Sequence, residues 1–75
     1  MLSDSTRRAI ASARRQLDRD PSLAAYILRD VPELAVLGLD DLAQMMARRD
    51  AYVSRNDVSY LIERLEEMDG EGADA

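Results

Sequence analysis

Apolar residues along this chain recur every three or four positions, and helix-capping signals separate one apolar segment from the next. Side chains with that spacing lie on one face of an α-helix, whereas a half-buried strand needs strict alternation of apolar and polar residues. No segment of the sequence has a convincing alternation of that kind. The pattern therefore predicts an all-α fold, a compact bundle of four to five short helices.

Capping residues and prolines mark where these helices begin. A Ser or Asp side chain can accept a hydrogen bond from a free N–H group of the first turn, and proline fits the first helical position because it has no N–H. These signals predict five helices. The first begins after Ser3 or Ser5 and ends at about residue 19, the second runs from Asp20-Pro21 to about Arg29, and the third runs from Asp30-Val31-Pro32 through Leu37. The fourth covers about 41–49 after a cap at Asp40, and the fifth covers about 55–68 after a cap at Ser54. Gly38 can end the third helix in the left-handed conformation.

The last helix has the clearest amphipathic pattern, with apolar residues at 58, 61, 62, 65 and 68 on one face. Ser54 and Asp57 have the spacing of a variant capping box, and Val53 and Val58 stand where a hydrophobic staple would form. In the preceding helix we expect a buried side made of Leu42, Ala43, Met45 and Met46.

The net charge of −5 at pH 7 is unevenly distributed along the 75 residues. Residues 1–65 contain ten arginines and ten acidic residues, and residues 66–75 contain five acidic residues and no basic one. A chain of this length has room for one core. We therefore predict a single helical domain over 1–69 and an acidic flexible tail over 70–75.

The residue types that the sequence lacks exclude several kinds of chemistry. Without Cys, His or Lys there is no disulfide, no imidazole base, no Schiff-base lysine and no phosphate-binding Gly-Lys-Ser/Thr loop. We therefore expect no enzyme, no metal or cofactor, and no small-molecule substrate. No apolar run approaches the ~20 residues of a membrane span and no signal-peptide pattern opens the sequence, so we expect a cytoplasmic protein.

Two stretches in the second half resemble a known family. Residues 52–67, Tyr-Val-Ser-Arg-Asn-Asp-Val-Ser-Tyr-Leu-Ile-Glu-Arg-Leu-Glu-Glu, resemble the recognition helix of winged-helix and helix-turn-helix transcriptional regulators, which ends near a glycine, here Gly70. Leu39-Asp40-Asp41-Leu42-Ala43 is similar to the start of the preceding helix in that family. The resemblance covers residues 39–70, with a lengthened turn of nine residues at 44–52 and no strands after Gly70 for a wing.

This resemblance implies a helix-turn-helix-like C-terminal half that binds DNA, and the polarity of the last helix agrees with it. Asn pairs with adenine edges, Ser and Arg suit base or phosphate contacts, and recognition helices approach bases with their N-terminal residues. The candidate nucleic-acid-binding residues are Arg48, Arg49, Ser54, Arg55, Asn56, Ser59, Tyr60 and Arg64. The predicted function is a small DNA-binding transcriptional regulator that acts as a homodimer.

An alternative function is a small acidic protein-interaction module, such as an adaptor, an antitoxin-like partner or a phage-type inhibitor, that binds a larger protein. The two hypotheses predict different surfaces. A basic stripe that joins the first helix to Arg48, Arg49 and Arg55 favours DNA as the partner. An exposed apolar patch around Tyr60, Met45 and Leu37 favours a protein.

Overall fold

Five α-helices form the structure, a computed structural model that describes residues 2–48 and 50–74 and contains no strand within these ranges. The predicted all-α class is therefore confirmed. The helices are α1 (Asp4–Leu17), α2 (Pro21–Leu28), α3 (Glu33–Val36), α4 (Asp40–Met46) and α5 (Arg55–Asp74).

The predicted caps of α1 and α2 form as expected. The Ser3 hydroxyl accepts a hydrogen bond from the Thr6 N–H at 3.1 Å, and the Asp20 carboxylate accepts one from the Leu23 N–H at 3.1 Å. Pro21 occupies the first position of α2. Each cap satisfies one N–H group that has no partner inside its own helix.

The predicted cap of α3 at Asp30 is wrong. The Asp30 carboxylate instead accepts a hydrogen bond from the Arg29 Nε at 3.4 Å, and Pro32 takes the N-cap position without a side-chain hydrogen bond. The main chain closes the turn in place of a side chain, because the Leu34 N–H donates to the Val31 carbonyl at 3.2 Å.

The predicted cap of α4 at Asp40 is also wrong, because the end of α3 fixes where α4 begins. Gly38 has a φ of +72°, its N–H donates to the Ala35 carbonyl at 3.1 Å, and the Leu39 N–H donates to the Leu34 carbonyl at 2.8 Å. This pair of bonds is a Schellman motif, which glycine permits at low cost in the left-handed region. The motif makes Leu39 the N-cap of α4 and leaves Asp40 inside the first turn.

Helices α4 and α5 also end at different residues from those predicted. Helix α4 ends at Met46 rather than near residue 49, and α5 continues past residue 68 to Asp74. The division into a domain over 1–69 and a flexible tail over 70–75 stays a prediction, and Ala75 lies outside the described residues.

Helix α2 lies at the centre of the bundle and packs against α1, α4 and α5. Ala24, Ala25 and Leu28 on α2 are fully buried, as is Ala13 on α1. An alanine side chain extends no further than Cβ, so these positions allow neighbouring helices to approach closely. The buried hydrophobic residues form one core: Leu2, Ile10, Ala13, Leu17, Ala24, Ala25, Leu28, Val31, Leu34, Ala43, Met46, Val53, Val58, Leu61, Ile62 and Leu65.

A polar network ties the N-terminus of α1 to α3 and α5. The buried Thr6 hydroxyl donates to one carboxylate oxygen of Glu33 at 2.7 Å, and the Ser3 N–H donates to the other at 3.0 Å. Asp69 on α5 accepts from the Leu2 N–H at 3.3 Å and from the Arg7 guanidinium at 3.1 Å. The network thus joins three helices that are far apart in the sequence.

These contacts lower the pKa of both carboxyl groups. Burial alone would raise the pKa of Glu33, but the hydrogen bonds from the Ser3 N–H and the Thr6 hydroxyl outweigh it, so the pKa lies below its ordinary value. The Leu2 N–H and then the Arg7 guanidinium lower the pKa of Asp69. Hydrogen bonds of this kind stabilise the charged form of a carboxyl group.

We predict that Leu28→Ala lowers the free energy of unfolding by about 2–5 kcal/mol, because it leaves a cavity at the centre of the bundle. Leu23→Ala is the matched control: Leu23 lies on the same helix but is 40% exposed, so its loss should cost less than about 1 kcal/mol. Urea unfolding followed by circular dichroism measures both. Equal effects of the two substitutions would contradict the central position of α2.

We also predict that stability decreases in acid. Because both pKa values are lower in the folded state, the stabilisation from Glu33 and Asp69 is complete above their ordinary pKa values of about 4.3 and 3.9, and it is lost as the pH falls through the lower folded values. Urea unfolding between about pH 6 and pH 2.5 measures this loss. Glu33→Gln should make the pH dependence shallower, and Asn56→Ala, an exposed control that removes no ionisable group, should leave it unchanged.

Candidate functional site

The start of α5 is held by a reciprocal pair of hydrogen bonds. The Ser54 hydroxyl accepts from the Asp57 N–H at 3.2 Å, and the Asp57 carboxylate accepts from the Ser54 N–H at 3.3 Å. Val53 and Val58, the predicted staple, are both buried. The capping box predicted from the sequence is therefore confirmed, and it fixes where the first exposed residues of α5 lie.

The predicted nucleic-acid-binding residues differ in their exposure. Arg48, Arg55, Asn56 and Tyr60 are exposed, whereas Ser54, Ser59 and Arg64 are half-buried. Arg49 lies outside the described residues. The first turn of α5 thus presents Arg55 and Asn56 to solvent.

Two of the candidate arginines already have acidic partners within the chain. The Arg55 Nε donates to an Asp18 carboxylate oxygen at 2.5 Å, and an Arg64 nitrogen donates to Glu67 at 2.8 Å. Exposed ion pairs of this kind contribute about 0–1 kcal/mol each. A phosphate could displace either acid at small cost, but the charge available to it is partly neutralised.

Arg48 lies apart from these two arginines. It lines a separate cleft with Ser22, Leu23 and Tyr26 of α2. At the C-cap of α2, the Arg29 guanidinium lies 4.2 Å from the centroid of the Tyr26 ring, a cation–π contact.

An apolar groove with a volume of about 300 Å³ lies between α4 and α5. We call it the α4–α5 groove. Four of its lining residues are large hydrophobic side chains with substantial exposure, from 38% for Leu42 through Tyr60 and Met45 to 94% for Tyr52. The remaining lining residues are Met46, Ala51 and Asp57.

This groove exists because α4 buries a narrower side than the sequence predicted. Ala43 and Met46 are buried, but Leu42 and Met45 are exposed, so their prediction as core residues is wrong. Leu42 and Met45 each precede a buried residue by one position, which turns them about 100° around the helix axis. In the structure α4 directs Ala43 and Met46 into the core and leaves Leu42 and Met45 at the surface.

The apolar patch expected for a protein partner is present in part. Tyr60 and Met45 line the α4–α5 groove together, as expected for that patch. Leu37 does not line it, because Leu37 is half-buried and packs against the core. Leu42, Tyr52 and Asp57 also line the groove, although the sequence did not indicate them for this patch. The position of Tyr52 in the lengthened turn at 44–52 was a usable signal.

Two further observations concern the described part of the chain. Within residues 2–48 and 50–69, whose side chains the structure describes, no three potential metal-ligating side chains come together. Over the same ranges, none of the helices combines the length and hydrophobicity required to cross a bilayer.

No protein-family model, curated protein or solved structure matches the sequence. The resemblance of residues 39–70 to winged-helix regulators therefore stays a prediction.

We predict that Ser54→Ala lowers the free energy of unfolding by about 0.5–2 kcal/mol, because it removes the cap at the start of α5. Ser59→Ala, in the interior of the same helix, is the control and should be neutral or slightly stabilising because alanine has the higher helix propensity. Thermal unfolding followed by circular dichroism measures both variants. A neutral Ser54→Ala would contradict the role given to the capping box.

Proposed function

We propose that this chain is a small acidic protein-interaction module that binds a larger protein through the α4–α5 groove. The observation that carries the proposal is the convergence of Leu42, Met45, Tyr52 and Tyr60 on one concave surface. Single exposed apolar residues are ordinary on protein surfaces, but a contiguous patch is typical of an interaction site.

The residue types in the groove favour a protein partner. Tyrosine and methionine are enriched at protein interfaces, and tyrosine in particular often contributes much of the binding energy. Met45 and Met46 have flexible, polarizable side chains that adapt to the shape of an inserted group. The two tyrosine rings, at 52 and 60, can cover such a group while their hydroxyls stay in water.

We predict that groove substitutions abolish capture of a protein partner without unfolding the chain. Immobilised wild-type protein should retain one partner stoichiometrically from an extract of the source organism, and Tyr60→Ala and Met45→Ala should each reduce retention at least about tenfold. The matched control is Val36→Ala, because Val36 is an apolar residue that is 78% exposed and lies outside the groove. Quantitative mass spectrometry of the retained proteins, with circular dichroism of each variant, gives the result. Retention that is equal in all variants would overturn the proposal.

DNA binding is a second candidate function, favoured by the exposure of Arg55 and Asn56 in the first turn of α5. On this hypothesis the chain acts as a dimeric transcriptional regulator, and Arg55 exchanges Asp18 for a backbone phosphate. Phosphate contacts make affinity fall linearly with the logarithm of salt concentration.

Fluorescence anisotropy on mixed DNA fragments tests this second candidate. If it is correct, Asn56→Ala should weaken binding by about 1–3 kcal/mol and relax the sequence preference. Arg55→Gln should lower the salt slope by about one. If DNA binding depends on salt in this way, and if the groove substitutions do not change retention of a protein partner, DNA is favoured over protein as the partner. No binding even at low salt would exclude DNA.

A further inference from the structure

The surroundings of the α4–α5 groove are acidic. Asp57 lines the groove and is exposed, with one carboxylate oxygen engaged by the Ser54 N–H. Asp41 precedes Met45 by one helical turn, and Glu63 follows Tyr60 by one turn, so these acids lie beside groove residues on α4 and α5. Both side chains are exposed.

The described arginines near the groove are engaged elsewhere. Arg55 is paired with Asp18, Arg64 is paired with Glu67, and Arg48 lines the cleft against α2. The three carboxylates beside the groove take part in none of the ion pairs found among the described residues, and they attract a cationic partner at long range.

This charge distribution disfavours a second copy of the chain as the occupant. A two-fold contact through the groove would place the carboxylates beside the groove of one protomer close to the same carboxylates of its partner. Opposed like charges reduce affinity and suppress that pairing. A partner with basic residues beside an apolar stripe would match both properties of the surface.

The walls of the groove also favour a helix as the occupant. An extended peptide gains affinity by adding a strand to a sheet edge, and no strand is present among residues 2–48 and 50–74. A groove between two helices instead receives apolar side chains spaced three or four residues apart on one face of a partner helix. The adaptable Met45 and Met46 side chains suit that mode of binding.

We infer that the occupant is a cationic amphipathic helix of the partner protein. Its apolar stripe enters the groove, and lysine or arginine residues beside the stripe face Asp57, Asp41 and Glu63. This inference rests on the proposed function and names the chemical class of the partner.

Three synthetic helical peptides of about 16 residues, which is about 24 Å of helix, test the inference. They share one stripe of leucines and differ only in the flanking residues, which are lysine, glutamine or glutamate. Isothermal titration calorimetry with the full chain should give a Kd for the lysine peptide about tenfold lower than for the glutamine peptide, the combined effect of three exposed ion pairs of about two- to threefold each. The glutamate peptide should bind most weakly. The preference should decrease between about 0.1 M and about 1 M salt, because the Debye length falls from about 10 Å to about 3 Å.

Matched substitutions assign the preference to individual carboxylates. Asp57→Asn keeps an oxygen that can cap the Ser54 N–H, and Glu63→Gln changes only an exposed side chain, so both variants should fold. Each should lower affinity for the lysine peptide about two- to threefold and leave the glutamine peptide unaffected. Asp4→Asn removes the same charge from the exposed start of α1 and should change neither affinity.

The outcomes separate this inference from the proposed function. Equal binding of the three peptides, or preference for the glutamate peptide, would show that the partner helix is not cationic. The proposed function, binding of a protein through the groove, would be unaffected by that result. If no peptide binds, or if Tyr60→Ala does not weaken binding, the inference that a helix occupies the groove is overturned. A dimer in sedimentation experiments that Met45→Asp dissociates would show that a second copy occupies the groove, and would also overturn the inference.

Discussion

Helix α2 packs against α1, α4 and α5, and this packing determines where the other helices lie. Its buried alanines and Leu28 leave little space between α2 and its neighbours, so the positions of α1, α4 and α5 are set relative to one another. Helix α4 therefore contacts the core with only Ala43 and Met46. Because of this orientation of α4, Leu42 and Met45 remain exposed, and together with residues of α5 they line the groove.

Electrostatic complementarity within the chain reinforces this arrangement. The basic helix α1 lies beside the acidic second half of α5, and Arg7 and Arg14 pair with Asp69 and Glu66. These pairs are exposed, so each contributes little to stability, but both of them join an arginine of α1 to a carboxylate of α5. They use acidic residues at the far end of α5, whereas the carboxylates beside the groove remain available to a partner.

The parts of the structure that depend on local interactions were predictable from the sequence. The caps at Ser3, Asp20 and Ser54 involve residues three positions apart, so the sequence alone specifies them. The caps predicted at Asp30 and Asp40 do not form, because a main-chain hydrogen bond closes the first turn of α3 and the Schellman motif at Gly38 moves the start of α4 to Leu39. The groove was not predictable in detail, since Leu42 with Met45 and Ala43 with Met46 form two adjacent stripes on α4, and tertiary packing decides which of them is buried.

Methionine methyl groups can report directly whether a partner places apolar side chains in the α4–α5 groove. Met45 and Met46 line the groove, whereas Met68 packs against the core at another place. In methyl NMR spectra of the full chain titrated with the lysine-flanked peptide, we predict that the Met45 and Met46 signals shift together and the Met68 signal stays in place. A shift of the Met68 signal alone, or no shift of any of the three signals at saturating peptide, would show that the peptide does not occupy the groove.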